Sequence, residues 1–360
     1  MAATTKISWC DATFNPWIGC SRVHEGCAHC YAEADQADRR KRVVWGPHGT
    51  RSRTSDAYWR QPLKWDREAA AAGERRRVFC ASLSDIFEDW KGPIVDAKGL
   101  RLHNRQGEYV HLPDTTDVPP LTMADLRRGL FALIDRTPNL DWLLLTKRPE
   151  NVRRMWAPRG QVDGESVYPS DRYRKNVWLL TSISDQPTAD KMVPELLACR
   201  DLVPVLGLSC EPLLGPIDLT KLQTSSHWPG KSEPSKLNAL LGYTFSRRKR
   251  FVFNGFVEEK GEIPFVDMET GNINWVISGG ESGPHARPMD VAWVRSLVEQ
   301  CKAASVPAFV KQLGNKPYDS AVKTWSSRAV QFSDPKGGDP SEWEESLRVR
   351  QFPQLAEAAP

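Results

Sequence analysis

Three cysteines near the start of the chain have a spacing that suits metal ligation. Cys20, Cys27 and Cys30 stand in the segment CSRVHEGCAHC, which is a C-x6-C-x2-C arrangement. The close pair brings two thiolates within reach of one metal, and the six-residue gap returns a third. Three thiolates can hold three irons of an iron–sulfur cluster, whereas a structural zinc site normally closes with four ligands. Zinc remains the alternative, with His24 or Cys10 as the fourth ligand.

Composition favours metal ligation over disulfide bonding for these cysteines. The 360 residues are 40% hydrophobic and 26% charged, a balance typical of globular proteins. No apolar run approaches the ~18 residues of a membrane span. Because the first residues contain no basic region followed by an apolar one, we expect no secretory signal. We therefore expect a cytoplasmic protein with no membrane partner, and we exclude a membrane channel and a small disulfide-stapled domain. Cys199, Cys210 and Cys301 are expected to be core or surface thiols.

Polar residues that could bind a ligand follow six apolar runs. Short apolar runs that alternate with helix-like segments predict parallel strands, and the ligand-binding residues of such folds lie at the carboxyl ends of the strands. A Ser or Asp at that position can also be only a helix N-cap, but six polar ends together favour a site. The candidate binding residues are Ser82, Ser84, Asp85, Lys147, Ser182, Ser184, Glu211, Gly279, Gly280, Glu281 and Lys311.

The same pattern predicts the fold class. Six strands, with a seventh near the N-terminus, predict an α/β fold built as a full or partial TIM-like parallel barrel. An open doubly wound sheet is the alternative. The barrel would occupy residues 1–314, with insertions at about 91–120 and 221–272. Residues 315–360, which are polar and contain several Pro and Gly, would form a C-terminal extension and tail.

Several segments together resemble a phage-associated, radical-S-adenosylmethionine-like family of unknown function. They are spread over about residues 7–314 and include FNPWIGCSRV, GCAHCYAE, SLSDIF, LLLTKRPEN, EPLLGPI and WVISGGESG. The resemblance implies that Cys20, Cys27 and Cys30 hold a 4Fe–4S cluster, and that the fourth iron and the strand-end residues bind S-adenosylmethionine. It also implies reductive cleavage of that cofactor, which starts radical chemistry and requires an electron donor.

The sequence departs from the radical S-adenosylmethionine pattern at two places. The usual cysteine spacing is C-x3-C-x2-C, so the first gap is longer here, and the Gly279-Gly280-Glu281 segment comes late in the chain. An iron–sulfur protein that does not use S-adenosylmethionine therefore stays an alternative. A zinc-stabilised nucleic-acid-binding protein without catalysis is the other.

Two basic segments suit a nucleic-acid partner. The formal net charge is +4, and part of the positive charge is concentrated in Arg39–Arg53 and Arg247–Arg250. Basic side chains can contact phosphates, and Trp45, Trp59 and Trp65 could stack on bases. The alternative is that the charges are solvated on a helix and that the tryptophans anchor a loop to the core. A nucleic acid or nucleotide is the predicted substrate, for modification or repair.

Overall fold

The computed structural model describes residues 5–113, 116–157, 172–224, 236–249, 262–322 and 329–354. The chain divides into two compact units. The first comprises Met1–Ser182 with Asp201–Val205, and the second comprises Ile183–Arg200 with Leu206–Pro360. Within the described residues, every helix is too short or too polar to cross a membrane.

The helices are mostly short. The α-helices are α1 (Tyr31–Glu33), α2 (Asp56–Trp59), α3 (Gln61–Ala72), α4 (Met123–Asp135), α5 (Pro149–Met155), α6 (Gln186–Leu197) and α7 (Val291–Ala303). A π-helix (Ala34–Arg39) continues α1 directly. Single 3-10 turns are formed by Glu25–Cys27, Arg200–Leu202, Pro340–Glu342 and Glu345–Leu347.

The strands belong to one large sheet and several small ones. They are β1 (Ala12–Thr13), β2 (Trp17–Ile18), β3 (Arg51–Arg53), β4 (Arg76–Cys80), β5 (Ile94–Val95), β6 (His103–Arg105), β7 (Glu108–Val110), β8 (Leu140–Thr146), β9 (Val177–Ser182), β10 (Val205–Cys210), β11 (Leu222–Gln223), β12 (Lys236–Asn238), β13 (Tyr243–Lys249), β14 (Glu262–Glu269), β15 (Trp275–Gly279), β16 (Met289–Asp290), β17 (Ala308–Gln312) and β18 (Pro317–Tyr318).

The large sheet confirms the predicted α/β class. Its strand order is β1-β4-β8-β9-β10-β15-β17, which is the order of the chain. The first unit pairs β1, β4, β8 and β9 in parallel, and the second pairs β10, β15 and β17 in parallel. A doubly wound sheet reverses its strand order at a switch point. The unreversed order of seven strands is consistent with a partial TIM-like barrel.

Continuous apolar runs form the sheet of the first unit because its strands are buried on both faces. In β8, Trp142, Leu143 and Leu144 are all fully buried. Before it, α4 is started by a capping box, in which the Thr122 hydroxyl accepts from the Asp125 N–H while the Asp125 carboxylate accepts from the Thr122 N–H. Such a box satisfies two backbone donors at a helix start. The site residues that follow β4 and β8 are therefore attached to strands that are fixed by burial.

The predicted insertion regions contain small antiparallel sheets. In the first unit, β6 and β7 form an antiparallel hairpin. A separate small sheet has only β5 in the predicted insertion: β5 pairs in parallel with β3, which pairs antiparallel with β2. In the second unit, β11, β12, β13 and β14 form a four-stranded antiparallel sheet. Residues 225–235 and 250–261, which belong to the predicted insertion at about 221–272, lie outside the described residues.

The C-terminal segment covers the edge of the large sheet in the second unit. The Val310 N–H donates to the Val349 carbonyl, and the Gln351 N–H donates to the Ala308 carbonyl. The Phe352 ring then packs on Trp275 and Phe309. Because this antiparallel segment occupies the outer edge of β17, a further parallel strand cannot pair there.

Removing residues 349–360 is expected to make the protein aggregate. An uncovered strand edge presents unpaired N–H and C=O groups to other chains, and the truncation would also expose the aromatic cluster around Trp275. Light scattering of the purified protein at increasing concentration measures the effect. Removal of residues 355–360 alone is the control and should leave the protein monodisperse. A truncation at 349 that stays monodisperse would contradict this role for the segment.

Candidate functional site

The cysteine loop leaves β2 through a glycine that no other residue can replace easily. Gly19 has φ +115°, and a Cβ there would lie 2.6 Å from the Thr50 carbonyl oxygen. Its N–H donates to the Leu83 carbonyl, and the Gly46 N–H donates to the Cys20 carbonyl. The backbone on both sides of Cys20 is therefore tied to neighbouring segments.

The other two cysteines lie on short helical turns. Cys27 ends the 3-10 turn that begins at Glu25, and the His24 Nδ1 caps this turn by accepting from the Gly26 N–H at 3.0 Å. Cys30 is the N-cap residue of α1. Both cysteines are partly exposed. The His24 ring, a candidate zinc ligand, thus has a structural role in the loop.

The three cysteines supply suitable donors without forming a closed site. Within the described ranges, no three Cys, His, Asp or Glu side chains stand close enough together to hold one metal ion. Cysteine thiolates are nevertheless the usual ligands of iron–sulfur clusters. Metal sites commonly close only as the metal binds, since ligation and local folding are coupled. The donor chemistry fits a cluster, and its binding would draw Cys20, Cys27 and Cys30 together.

Arg148 contacts the first of these cysteines. Its Nη1 donates to the Cys20 Sγ at 3.6 Å, and its Nη2 donates to the Ser21 carbonyl at 2.8 Å. Burial is the main cause that raises the pKa of the Cys20 thiol to about 12, and Glu88 raises it further while the Arg148 guanidinium opposes the shift. Before metal binds, Cys20 is therefore a thiol, and ligation would displace its proton.

A buried carboxylate holds Arg148 in place. The Asp85 Oδ1 accepts from the Thr146 hydroxyl at 2.7 Å and from the Phe87 N–H at 3.0 Å. The Asp85 Oδ2 accepts from the Lys147 N–H and from the Arg148 Nη1, both at 2.9 Å. The carboxylate is 5% exposed. Asp85, a predicted binding residue, thus joins the carboxyl ends of β4 and β8.

A second buried ion pair adjoins the first. Arg51 is fully buried, and its Nε and Nη2 donate to the two oxygens of Glu88 at 2.7 and 2.8 Å. Its Nη2 also donates to the Ser21 hydroxyl at 2.9 Å. The Arg148 Nη2 reaches the same carboxylate at 3.4 Å. Two arginines and two carboxylates thus form one buried network beside the cysteine loop.

The remaining predicted residues of the first unit differ in their surroundings. The Ser82 hydroxyl exchanges hydrogen bonds with the Asn15 side chain, which indicates a structural role. Ser84 forms a parallel bridge with Gly19, and within the described ranges its buried hydroxyl has no hydrogen-bond partner. Lys147 is partly exposed, and Ser182 is buried at the end of β9.

An open cleft lies beside the cysteine loop. Its volume is about 730 Å³. Arg148 and Ser21, which touch Cys20 or its neighbours, form part of its wall. The residues that line it are Ser21, Arg22, Val23, Pro47, His48, Gly49, Glu88, Asp89, Trp90, Lys91, Gly92, Pro93, Arg148, Glu150 and Asn151. The cleft gives a small molecule access to the surroundings of Cys20.

In the second unit, the predicted residues form an ion pair over a glycine. Lys311 Nζ lies 2.9 Å from Glu211 Oε1, and the Ser209 hydroxyl donates to Glu211 Oε2 at 3.3 Å. A Cβ on Gly279 would lie 2.8 Å from Glu211 Oε1. The absent side chain at Gly279 therefore leaves room for the carboxylate.

Glu281 is engaged by the loop that follows it. Its carboxylate accepts from the Arg287 side chain at 2.7 and 2.9 Å and from the Arg287 backbone N–H at 2.8 Å. Gly280 packs against the Leu313 backbone, and its carbonyl accepts from the Gln312 amide. Ser184 is fully buried, and its hydroxyl has no hydrogen-bond partner in the described part of the chain.

Alanine variants of Gly279 and Gly280 can be compared directly. Gly279→Ala should displace the Glu211 side chain, weaken its ion pair with Lys311 and cost at most about 1 kcal/mol, in the range of partly exposed ion pairs. Gly280→Ala would place its Cβ against the Leu313 carbonyl. The backbone must shift there, so a cost of about 1–3 kcal/mol is expected, as for overpacking. Thermal unfolding checks the order, and a larger loss in Gly279→Ala would contradict this geometry.

Part of the predicted nucleic-acid segment is buried. Arg51 is buried against Glu88, and the Arg53 guanidinium packs on the rings of Trp59 and Tyr109. Trp65 is 3% exposed. Arg51 and Trp65 are therefore not placed to contact phosphates or bases, contrary to the expectation for them. Arg53 and Trp59 are partly exposed and contact each other. The side chains of Arg247–Arg250 lie outside the described residues.

The exposed basic residues of that segment lie at the end of the π-helix and directly after it. They are Arg39, Arg40, Lys41 and Arg42. Arg39 and Arg40 both pair with Asp35, which reduces the charge they present. Within Arg39–Arg53, the exposed part of the predicted nucleic-acid surface is therefore small.

Arg51 and Glu88 belong to the buried network beside the cysteine loop and are not among the predicted cofactor-binding residues, although Arg51 lies in the basic segment predicted to contact phosphates. Arg51 lies in the arginine-rich stretch RSR, whose composition favours a solvated surface. Glu88 follows the SLSDIF segment without a distinctive motif. Only their pairing in three dimensions identifies them, because a buried charge is costly unless it is paired or hydrogen-bonded.

Comparison with known proteins identifies a family without assigning an activity. A family described as "Protein of unknown function (DUF5131)" matches residues 4–95 and 115–343, which is most of the chain. No curated protein matches the chain, and no solved structure matches it. The chain belongs to the DUF5131 family of proteins of unknown function.

Proposed function

We propose that this protein is an iron–sulfur enzyme of the radical S-adenosylmethionine type, with its cluster on Cys20, Cys27 and Cys30. The observation that carries the proposal is the setting of the cysteine loop. The loop begins directly after β2, Arg148 donates to its first sulfur, and its other two cysteines are partly exposed. The resemblance of the cysteine segment to radical S-adenosylmethionine enzymes supports the same assignment.

The residues of the first unit have defined tasks in this proposal. A bound cluster would supply one electron for the reductive cleavage of S-adenosylmethionine. Arg148 orients the Cys20 sulfur, and Asp85 and Glu88 hold the Arg148 guanidinium. The cleft beside Cys20 admits a small molecule. Cys27 and Cys30 lie on turns that can approach Cys20 when metal binds.

The second unit supplies charges that suit an α-amino acid. Glu211 and Lys311 pair with each other at 2.9 Å, and their opposite charges match the ammonium and carboxylate groups of a methionine moiety. Gly279 gives close access to the strand end. That Glu211, Gly279 and Lys311 bind S-adenosylmethionine stays a prediction from the sequence. A nucleic-acid or nucleotide substrate and an external electron donor stay predictions from the sequence.

Anaerobic reconstitution tests the proposal. The reconstituted full chain should bind about four irons and absorb visible light as a thiolate-ligated cluster does. With S-adenosylmethionine and a strong reductant, it should release 5′-deoxyadenosine. One bound zinc and no iron would instead support the zinc-stabilised alternative and overturn the proposal. An intact cluster without 5′-deoxyadenosine would overturn the S-adenosylmethionine step and leave an electron-transfer or sensing role.

A further inference from the structure

The Arg148 side chain is hydrogen-bonded to a sulfur of the cysteine loop. Its Nη1 is shared between the Cys20 Sγ and Asp85, and its Nη2 between the Ser21 carbonyl and Glu88. The guanidinium thus contacts the backbone next to Cys20 as well as the sulfur itself. The planar guanidinium has several donors in fixed positions, so it can contact the sulfur and the backbone at the same time. A lysine ammonium is a compact point charge and lacks this geometry.

The orientation of Arg148 is determined by its buried partners. Its side chain is only 11% exposed, and the paired side chains of Asp85 and Glu88 are 6% and 5% exposed. Its backbone N–H donates to the Thr146 hydroxyl at 2.9 Å, directly before α5 begins. Few alternative positions are open to a charge that would otherwise be left buried without a partner. The donor aimed at the Cys20 sulfur is therefore preorganised.

We propose that Arg148 is a positioning residue that fixes the Cys20 sulfur and raises the reduction potential of a cluster bound there. This inference rests on the proposed function. Reduction adds negative charge to a cluster, and a hydrogen bond or positive charge at a ligating sulfur stabilises the reduced form. Arg148 supplies both from within the protein. Its role is one of tuning and placement, because Arg148 itself ligates no metal.

Three variants of the full chain separate this role from simple structural support. Arg148→Lys keeps the charge and loses the planar guanidinium, whereas Arg148→Gln loses the charge as well. Arg51→Lys is the matched control, since Arg51 is also buried and shares the Glu88 carboxylate. The hydrogen bonds of Arg51 go to Glu88, the Ser21 hydroxyl and backbone carbonyls, so its replacement leaves the sulfur contact intact.

The measurements are iron content after anaerobic reconstitution and the midpoint potential from a redox titration followed by electron paramagnetic resonance. We expect the potential to fall in the order wild type, Arg148→Lys, Arg148→Gln, with Arg51→Lys at the wild-type value. A general loss of packing would not produce this order, because Arg51→Lys disturbs the same network.

The possible outcomes distinguish failure of the proposed function from failure of the inference about Arg148. A wild-type chain that binds no iron would overturn the proposed function and this inference with it. An iron-loaded Arg148 variant with the wild-type potential would overturn this inference alone. If both Arg148 variants lose iron while Arg51→Lys retains it, placement of the sulfur is supported. Loss of iron from all three variants would show a merely structural role and overturn the inference.

Discussion

Alanine in place of Cys20, Cys27 or Cys30 is expected to lower bound iron from about four per chain to a small fraction of that value. Each thiolate would hold one iron of the cluster, so two remaining cysteines cannot retain it. Iron and acid-labile sulfide, measured after anaerobic reconstitution, report the result. The effect should be comparable for all three positions, although Cys20 is held by Arg148 and the other two lie on partly exposed turns.

Cysteines elsewhere in the chain provide the control for that experiment. Cys199 and Cys301 are fully buried in the second unit, so Cys199→Ala and Cys301→Ala should bind iron as the wild type does. Their circular dichroism should match that of the loop variants, which separates loss of metal from loss of fold. A Cys27→Ala or Cys30→Ala chain that keeps its full iron content would contradict the assignment of these ligands.

The large sheet could be predicted from the sequence because its strands are short, continuous apolar runs. The run LDWLLLT forms β8, and NVWLLTS contains β9. Such runs leave little choice but burial on both faces. The covering of β17 by residues 349–351 could not be predicted in the same way, because VRQF has no strong strand pattern. Its pairing depends on an open edge that only the folded sheet presents.

The candidate site could be predicted less completely than the sheet. The polar strand ends include Asp85, Glu211 and Lys311, whose side chains form buried or partly buried ion pairs, while their role in cofactor binding stays a prediction. Their partners were harder to identify. Arg51 reads as a surface charge in the sequence and is fully buried in the structure. Local composition does not show which distant carboxylate will form an ion pair with an arginine. The energy of the pair depends on the geometry and burial that only the folded structure provides.

Asp85→Asn is expected to destabilise the metal-free protein by about 3–5 kcal/mol, the usual cost of removing one partner of a buried ion pair. The carboxylate accepts four hydrogen bonds, including the one from Arg148. The asparagine amide would direct an N–H₂ group at hydrogen-bond donors that the carboxylate now accepts from. It would also leave the Arg148 guanidinium without the negative charge of Asp85. Chemical denaturation of the metal-free chain measures the loss of unfolding free energy.

Asp89→Asn is the matched control, because Asp89 lies four residues away, is 39% exposed and pairs with Lys91 and Arg154 at the surface. Its loss should cost no more than about 1 kcal/mol. The double variant Asp85→Asn, Arg148→Gln tests whether Asp85 and Arg148 act as a pair. If the two buried charges act as a pair, it should be less destabilised than the sum of the single variants. Additive losses would show that Asp85 supports the strand ends through its other three donors, independently of Arg148.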